Sequence, residues 1–455
     1  MKDDSYPQRL SLDKPPGYKQ KTAPAMPFPQ TSTSDTYPPL ANLLFSAEKT
    51  LPVPAKHICT LDFLTDIREF SGLGTITTTF IENDIPYYLG KFFKSGGARL
   101  HALHEFSYRA SFNPHLPEFL IERLSSAGDI VHDPFAGSGT TLIEAARLGR
   151  IACGSDINPM AEAIIAPRIG PEITPEGIIH ALETVDWSAG HRHSLGLPSE
   201  FFNAKTLQKL SALQVWSQGR APFNDADADP VARWIRMVVL SRLTGHSSGF
   251  MSGYTLPPNK ATTSASQRRI NEERGENPPE RDVKRNIIRK TRSLLRDGSI
   301  PYDCRHRIGV GDASDTPWIE DASVNLVVTS PPFCTEVDYA FEHWLRLKYF
   351  GIDPKSIAFS HIASLKAWTA MIRNMLMEMM RVVKPGGYIA LEVGEIKKGT
   401  VKLERAVWEA AEGLPCRRLG VIIHDAEFTK TSHIFDVTKN QRGTNTNRIV
   451  IMQRL

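Results

Sequence analysis

No stretch of the sequence approaches the roughly 18 uninterrupted apolar residues that a membrane-crossing helix needs, and the N-terminus lacks the apolar core of a secretory signal. A membrane partner is therefore not expected. Cysteine is scarce: Cys59, Cys153, Cys304, Cys334 and Cys416 are scattered, odd in number and without a C-x-x-C pair. That spacing suggests neither a disulfide framework nor a zinc site, so no metal is expected, and a reducing, cytoplasmic location fits. An excess of charge of one sign is also missing, since 54 Lys and Arg face 50 Asp and Glu for a net charge of +4. A polyanionic partner would have to be met by a local cluster rather than by the field of the whole chain. What is present is ample apolar material, 41% of 455 residues, enough for at least one large core and, on length alone, about two or three domains.

Residues 1–40 are dense in Pro, Ser, Thr and Lys and nearly free of periodic apolar positions, which predicts a disordered tail. Residues 41–166 read as globular. Leu116, Phe119, Leu120 and Leu124 have helical spacing. A strand at Asp129–His132, a Gly-rich turn, a helix at Thr141–Leu148 and a strand at Ile151–Ser155 then make a βαβ unit. The alternation stops over residues 167–305, a predicted insert with helices at Asn203–Trp216, Pro230–Leu243 and Arg281–Arg296 around one long loop, Ser247–Pro279. It resumes in residues 306–455 with strands at Arg307–Val310 and Val324–Val328, a helix through Met371–Val383, a strand at Tyr388–Val393 and a closing pair of strands. This order predicts a doubly wound, largely parallel sheet with ligands at the carboxyl ends of its strands.

The turn Asp133-Pro134-Phe135-Ala136-Gly137-Ser138-Gly139-Thr140-Thr141 follows a strand and opens a helix. Its glycines let the backbone turn sharply and approach a ligand, and the helix offers free amides. A phosphate loop would need Gly-Lys-Ser/Thr, and a dinucleotide fingerprint would put a third Gly where Leu142 stands; neither fits. An acidic residue before the turn and Asp156 at the end of the next strand suit a sulfonium amino acid joined to a ribose, as in S-adenosylmethionine (SAM), with Asp156 accepting from two ribose hydroxyls. A Gly-rich turn alone is a common structural device, but the full run resembles motif I of the amino-methyltransferases of DNA, which act on adenine-N6 and cytosine-N4. Gly154-Ser155-Asp156-Ile157-Asn158-Pro159 resembles that family's motif II, and Phe106–Pro114 the segment covering the methionine end of SAM. The resemblance implies a Rossmann-like SAM-dependent methyltransferase fold, a seven-stranded mostly parallel sheet with a helical insert. It implies cofactor contacts from Tyr108, Asp133, Phe135, Ala136, Gly137, Gly139, Thr140, Asp156, Ile157, Asp312 and Ala313.

Thr329-Ser330-Pro331-Pro332-Phe333 emerges from a Val-rich strand at the same sheet edge. Methylating an aromatic amine requires turning its lone pair to the methyl group by accepting its hydrogens. The Ser330 hydroxyl and the Pro331 carbonyl can accept, Pro331 and Pro332 stiffen the loop, and Phe333 offers a face to an extruded base. In the family it resembles, the Ser form of this tetrapeptide is associated with cytosine-N4, although adenine-N6 and amines of RNA bases use similar elements. Cytosine-C5 chemistry would need a Pro-Cys nucleophile; Pro415-Cys416 lies beyond the fifth strand and reads as structural, as does Cys334.

Arg285, Arg289, Arg292 and Arg296 recur at helical spacing in the insert, with Val283, Ile287, Leu294 and Leu295 available to the other side. Such a stripe is often a solvated face, diluted here by Glu272, Glu273, Glu276 and Glu280. Beside a polar loop holding Tyr254 and Asn259 it also suits phosphate contact, and Arg285, Arg289 and Arg292 are candidate nucleic-acid residues. The expectation is a DNA methyltransferase working on a flipped base of duplex DNA, with a companion restriction endonuclease as a further partner. A nucleic-acid-binding protein that keeps the fold without turnover is the rival of a different class.

Overall fold

The computed structural model describes residues 60–94, 100–108, 111, 113–192, 195–222, 228–255, 262–332, 334, 339–359, 362, 364–396, 400–425 and 447–455. The chain divides into Met1–Pro54 and Ala55–Leu455. The Pro-rich tail, Asn259 and Phe333 lie outside the described residues.

The described chain begins with helix α1 (Thr60–Glu69), the hairpin β1 (Thr78–Glu82) and β2 (Ile85–Gly90), and helix α2 (His115–Leu124). Next come β3 (Ile130–Asp133), α3 (Thr140–Arg147), β4 (Ile151–Asp156) and α4 (Met160–Ile169). Five helices follow without a strand between them: α5 (Pro175–Glu183), α6 (Ala204–Gln218), α7 (Pro230–Arg242), α8 (Ser264–Arg274) and α9 (Val283–Leu294). The chain then forms β5 (Arg307–Val310), β6 (Val324–Thr329), α10 (Tyr339–Phe350), α11 (Leu365–Val382) and β7 (Val383–Val393). A two-residue hairpin, β8 (Glu395–Ile396) with β9 (Val401–Lys402), precedes α12 (Leu403–Ala410), β10 (Cys416–His424) and β11 (Asn447–Arg454).

Among the described residues, nine strands make one sheet in the order β1-β2-β10-β11-β7-β6-β3-β4-β5. Five of its eight neighbouring pairs are parallel. The seven strands from β10 to β5 are the expected Rossmann-like sheet, and the β1–β2 hairpin extends it by two. From β3 the chain winds outward through β4 to β5, then returns to lay β6 on the other side of β3. That reversal opens a crevice at the carboxyl ends of β3 and β6, where open α/β sheets take their ligands. The central strands are buried on both faces, as Val131, Leu326, Val327, Ile389 and Leu391 show.

Several boundaries differ from the sequence reading. The loop expected over Ser247–Pro279 contains α8, which shows no apolar stripe: its one buried residue is Gln267, and it is started by Thr263 accepting from Ser266 N and stopped by Gly275 in the left-handed region. Helix α11 starts at Leu365, capped by Ser364, whose side chain accepts from Ala367 N, about two turns before Met371. Helix α9 buries Val283, Ile287 and Leu294 as expected, but also Asn286, Lys290 and Thr291, because polar groups of neighbouring segments face it.

Candidate active site

Strand β3 delivers the Gly-rich turn to the crevice, and β4 delivers Asp156 beside it. The turn is fastened from below: Ala136 N donates to Ser155 O at 2.9 Å, and Gly139 N to Ala136 O at 2.6 Å. Asp156 is claimed by two amides, Gly137 N at 2.7 Å on one oxygen and Asn158 N at 2.8 Å on the other. Each oxygen keeps lone-pair capacity toward the cleft, so the carboxylate is held in place rather than used up. Burial pushes its pKa up, against the lowering effect of the two amides.

An open cleft of about 860 Å³, counting its solvent-facing mouth, lies over these strand ends, within the range of small-molecule sites. Seven of the expected cofactor residues line it: Tyr108, Phe135, Gly137, Asp156, Ile157, Asp312 and Ala313. Asp312 accepts from Ser314 N and Ser314 Oγ through one oxygen, at 2.8 and 2.7 Å. Apolar rings, two amide-held carboxylates and a glycine floor fit a ligand that is part adenosine and part amino acid.

Four expected contacts fall elsewhere. Asp133, Ala136, Gly139 and Thr140 do not line the cleft; Asp133 is wholly buried beneath it. Thr329 Oγ1 donates to Asp133 Oδ1 at 2.6 Å, and Phe135 N donates to the same oxygen at 3.1 Å. Burial first of all lifts Asp133 to about 7. With Thr141 Oγ1 donating to Val328 O at 3.1 Å, Asp133 joins the two functional loops from beneath the cleft. Gly139 is needed for its left-handed φ of 82° and because a Cβ there would stand 2.6 Å from Ile165 Cγ1. The missing side chain makes room for helix α4, not for the cofactor. Gly139→Ala should accordingly cost stability, at least about 1–2 kcal/mol from the backbone alone, measured by denaturant unfolding of the cofactor-free chain. An unfolding midpoint equal to wild type would contradict this packing role.

The second loop enters from β6. Ser330 and Pro332 line the cleft, whereas Pro331 is buried and does not; its role is to stiffen the turn. Ser330 Oγ lies 2.7 Å from Glu392 Oε2, to which it donates, and Trp368 Nε1 donates to Pro332 O at 2.8 Å. Glu392 comes from the carboxyl end of β7, opposite Ile449. Burial pushes its carboxyl above the usual range, and the Ser330 hydroxyl partly offsets that. An acid inside the apolar run Tyr388-Ile389-Ala390-Leu391-Glu392-Val393 was the available sequence signal for this partner. Met371 and Met375, one turn apart on α11, complete an apolar wall with Phe359 that the sequence reading also missed.

The arginines of α9 stand apart from the cleft lining. Arg285, Arg289 and Arg292 are exposed on one face, with Arg289 Nη2 donating to Asn286 Oδ1 at 3.3 Å. Arg296 leaves the stripe to pair with Glu105 at 2.6 Å.

The sheet order and a cleft built by the ends of β3, β4, β5 and β6 define the Rossmann-like fold of SAM-dependent methyltransferases. Residues 79–167 match the family model described as DNA methylase. The chain is similar to the type II methyltransferase M.BsoBI of Geobacillus stearothermophilus, 25% identical over 273 residues that cover 55% of this chain and 53% of that protein. It is 42% identical over 60 residues to the type II methyltransferase M.MjaII of Methanocaldococcus jannaschii, 13% of this chain and 11% of that protein. Among solved structures, TrmN from Thermus thermophilus superposes with a TM-score of 0.30 at 12% identity, covering 78% of this chain and 52% of that one. Over part of its length the chain thus resembles the DNA amino-methyltransferase family. It spans about half the length of M.BsoBI and less of M.MjaII. No helix among the described residues is long and apolar enough to cross a membrane.

Proposed function

We propose that the chain transfers a methyl group to the exocyclic amine of a base flipped out of duplex DNA, with cytosine-N4 as the target. The observation that carries this reading is the Ser330–Glu392 hydrogen bond, which opens on the same cleft as Asp156. Bound SAM supplies an electrophilic methyl on its sulfonium. The protein's part begins with Asp156 holding the ribose and Phe135 packing on the methionine chain. With its own proton committed to Glu392, Ser330 Oγ has lone pairs free to accept a hydrogen of the amine. That pins the amine hydrogen and turns the nitrogen lone pair toward the methyl. As the nitrogen–carbon bond forms at the expense of the sulfonium's methyl–sulfur bond, leaving a neutral thioether, an amine proton passes to Ser330 Oγ while the serine proton passes to Glu392 Oε2. Phe333 offers the stacking face, and the apolar wall of Phe359, Met371 and Met375 keeps water from the reacting atoms. Labelled SAM with duplex DNA, followed by mass spectrometry of the released nucleosides, should yield N4-methylcytosine. N6-methyladenine would move the reading to adenine, and label only in RNA would remove DNA as the substrate.

In this reading the insert, residues 167–305, meets the DNA backbone through Arg285, Arg289 and Arg292, and a companion restriction endonuclease shares the recognition site. Replacing the three arginines together should weaken DNA binding and flatten its salt dependence by up to about three units of slope. Fluorescence anisotropy across a salt series reads this directly, and cofactor affinity should hold. An unaltered slope would return the stripe to the status of a solvated face.

A further inference from the structure

Two guanidinium groups are buried beside the segment that runs from Ala102 to Tyr108, and they differ in how their donors are met. Arg168 Nε donates to Ile164 O at 2.6 Å, Nη1 to Leu103 O at 3.0 Å, and Nη2 to Ser138 O. Every nitrogen of that side chain has a carbonyl partner, and the side chain ties the 102–108 segment to the Gly-rich turn. Arg346, on α10, is 4% exposed, and its Nη2 donates to Ser107 O at 2.8 Å. Its Nη1 is buried with no hydrogen-bond partner, and no carboxylate among the described residues forms an ion pair with it. The guanidinium lies over Phe106, 5.2 Å from the ring centroid.

Its neighbours do not supply a counter-charge. His343, one turn earlier on α10, packs its ring 4.6 Å from that of Tyr108, and both of its buried nitrogens lack hydrogen-bond partners. Burial, with the Arg346 charge adding to it, pushes His343 down to about 3, so its ring is neutral. A buried guanidinium with one unmet edge is costly unless an anion arrives to meet it.

The layout of the cleft indicates which anion. The tips of β3, β4 and β5 lie side by side, so a nucleoside held at Asp156 and Asp312 directs its amino-acid end back over the β3 turn. There the cleft is walled by Tyr108 above Gly137, where an added Cβ would stand 3.6 Å from the Tyr108 ring. Tyr108 follows the residue whose carbonyl Arg346 holds, so Arg346 stands behind the cleft wall that Tyr108 forms and is not itself a lining residue. We propose that Arg346 is the counter-ion of the cofactor's methionine carboxylate, which it meets beside Tyr108 with the guanidinium edge that no protein group uses.

The experiment is a calorimetric titration of the full chain with S-adenosylhomocysteine, with its carboxyl methyl ester and with 5′-methylthioadenosine, which lacks the amino acid altogether. Wild type should bind the acid roughly 10- to 100-fold more tightly than the ester. In Arg346→Gln, which keeps a donor for Ser107 O but no charge, that preference should vanish while methylthioadenosine binds as before. Arg346→Met gives the same reading if the Gln variant fails to fold. A preference for the acid that persists in the variant, or equal loss of all three ligands, would overturn the assignment and leave Arg346 as a strap on the 102–108 segment. A wild type that binds the acid and the ester equally would do so as well. The inference rests on SAM as cofactor, and wild-type binding of the acid checks that separately.

Discussion

Ser330→Ala should lose about 100-fold or more of the methyl-transfer rate, the cost of removing one oriented hydrogen-bonding group aimed at the reacting centre, with cofactor affinity unchanged. The separation follows from how the loop is held. Pro332 O is fixed by Trp368, and Asp156 by the amides of Gly137 and Asn158, so neither depends on the Ser330 hydroxyl. What disappears is the acceptor that pins an amine hydrogen and the path from that hydrogen to Glu392. Single-turnover transfer from labelled SAM measures the loss, and calorimetry checks the cofactor. A fluorescent analogue at the target base should still report flipping, because stacking does not involve this oxygen. Wild-type turnover by Ser330→Ala on cytosine-containing DNA would remove both the catalytic assignment and the cytosine-N4 reading.

Glu392→Gln should slow the reaction by roughly 100- to 10,000-fold, the range for losing a positioned proton acceptor, and it should change the pH profile in a specific way. The buried carboxyl titrates above the usual carboxylate range, so the protonated form persists to higher pH than for an exposed glutamate. Only the ionised form can draw the serine proton and leave Ser330 Oγ as an acceptor. The wild-type rate should therefore rise as pH increases through the Glu392 pKa and then level off. The amide has no such transition, so the acid limb should be absent from the variant. If Glu392→Gln retains the same acid limb as wild type, the limb belongs to another group and Glu392 only fills space behind the loop.

How much of this was visible in the sequence follows from which signals are local. The βαβ unit around Gly137 and the strand before Ser330 were legible because Val131 and Val324–Val328 are buried on both faces and read as short apolar runs. The β1–β2 hairpin was not, because Thr78–Glu82 is exposed almost throughout and shows no alternation; Phe80 stacks on Tyr87 at 5.0 Å from the edge of the sheet. Asp156 was legible because a strand end followed by Asn158 and Pro159 is itself a local pattern. Glu392 was not, because its partner lies 62 residues away and its meaning comes from the neighbouring strand. Gly139 and Asp133 show the opposite case. Motif position suggested a ligand, whereas Ile165 and Thr329, distant in sequence, set what those residues do.

The hydrogen bond from Thr329 to Asp133 spans 196 residues, and the same span separates the two loops that make the site. During synthesis the Gly-rich turn leaves the ribosome long before the strand that must lie beside it, and all five helices of the insert emerge in between. Closing so long a loop is slow compared with forming the local helices. A chain that folded as it was synthesised would hold β3 against β4 with the other edge of β3 unpaired until β6 arrives. The cleft between the two loops is thus complete only once the closing half of the sheet docks on the opening half.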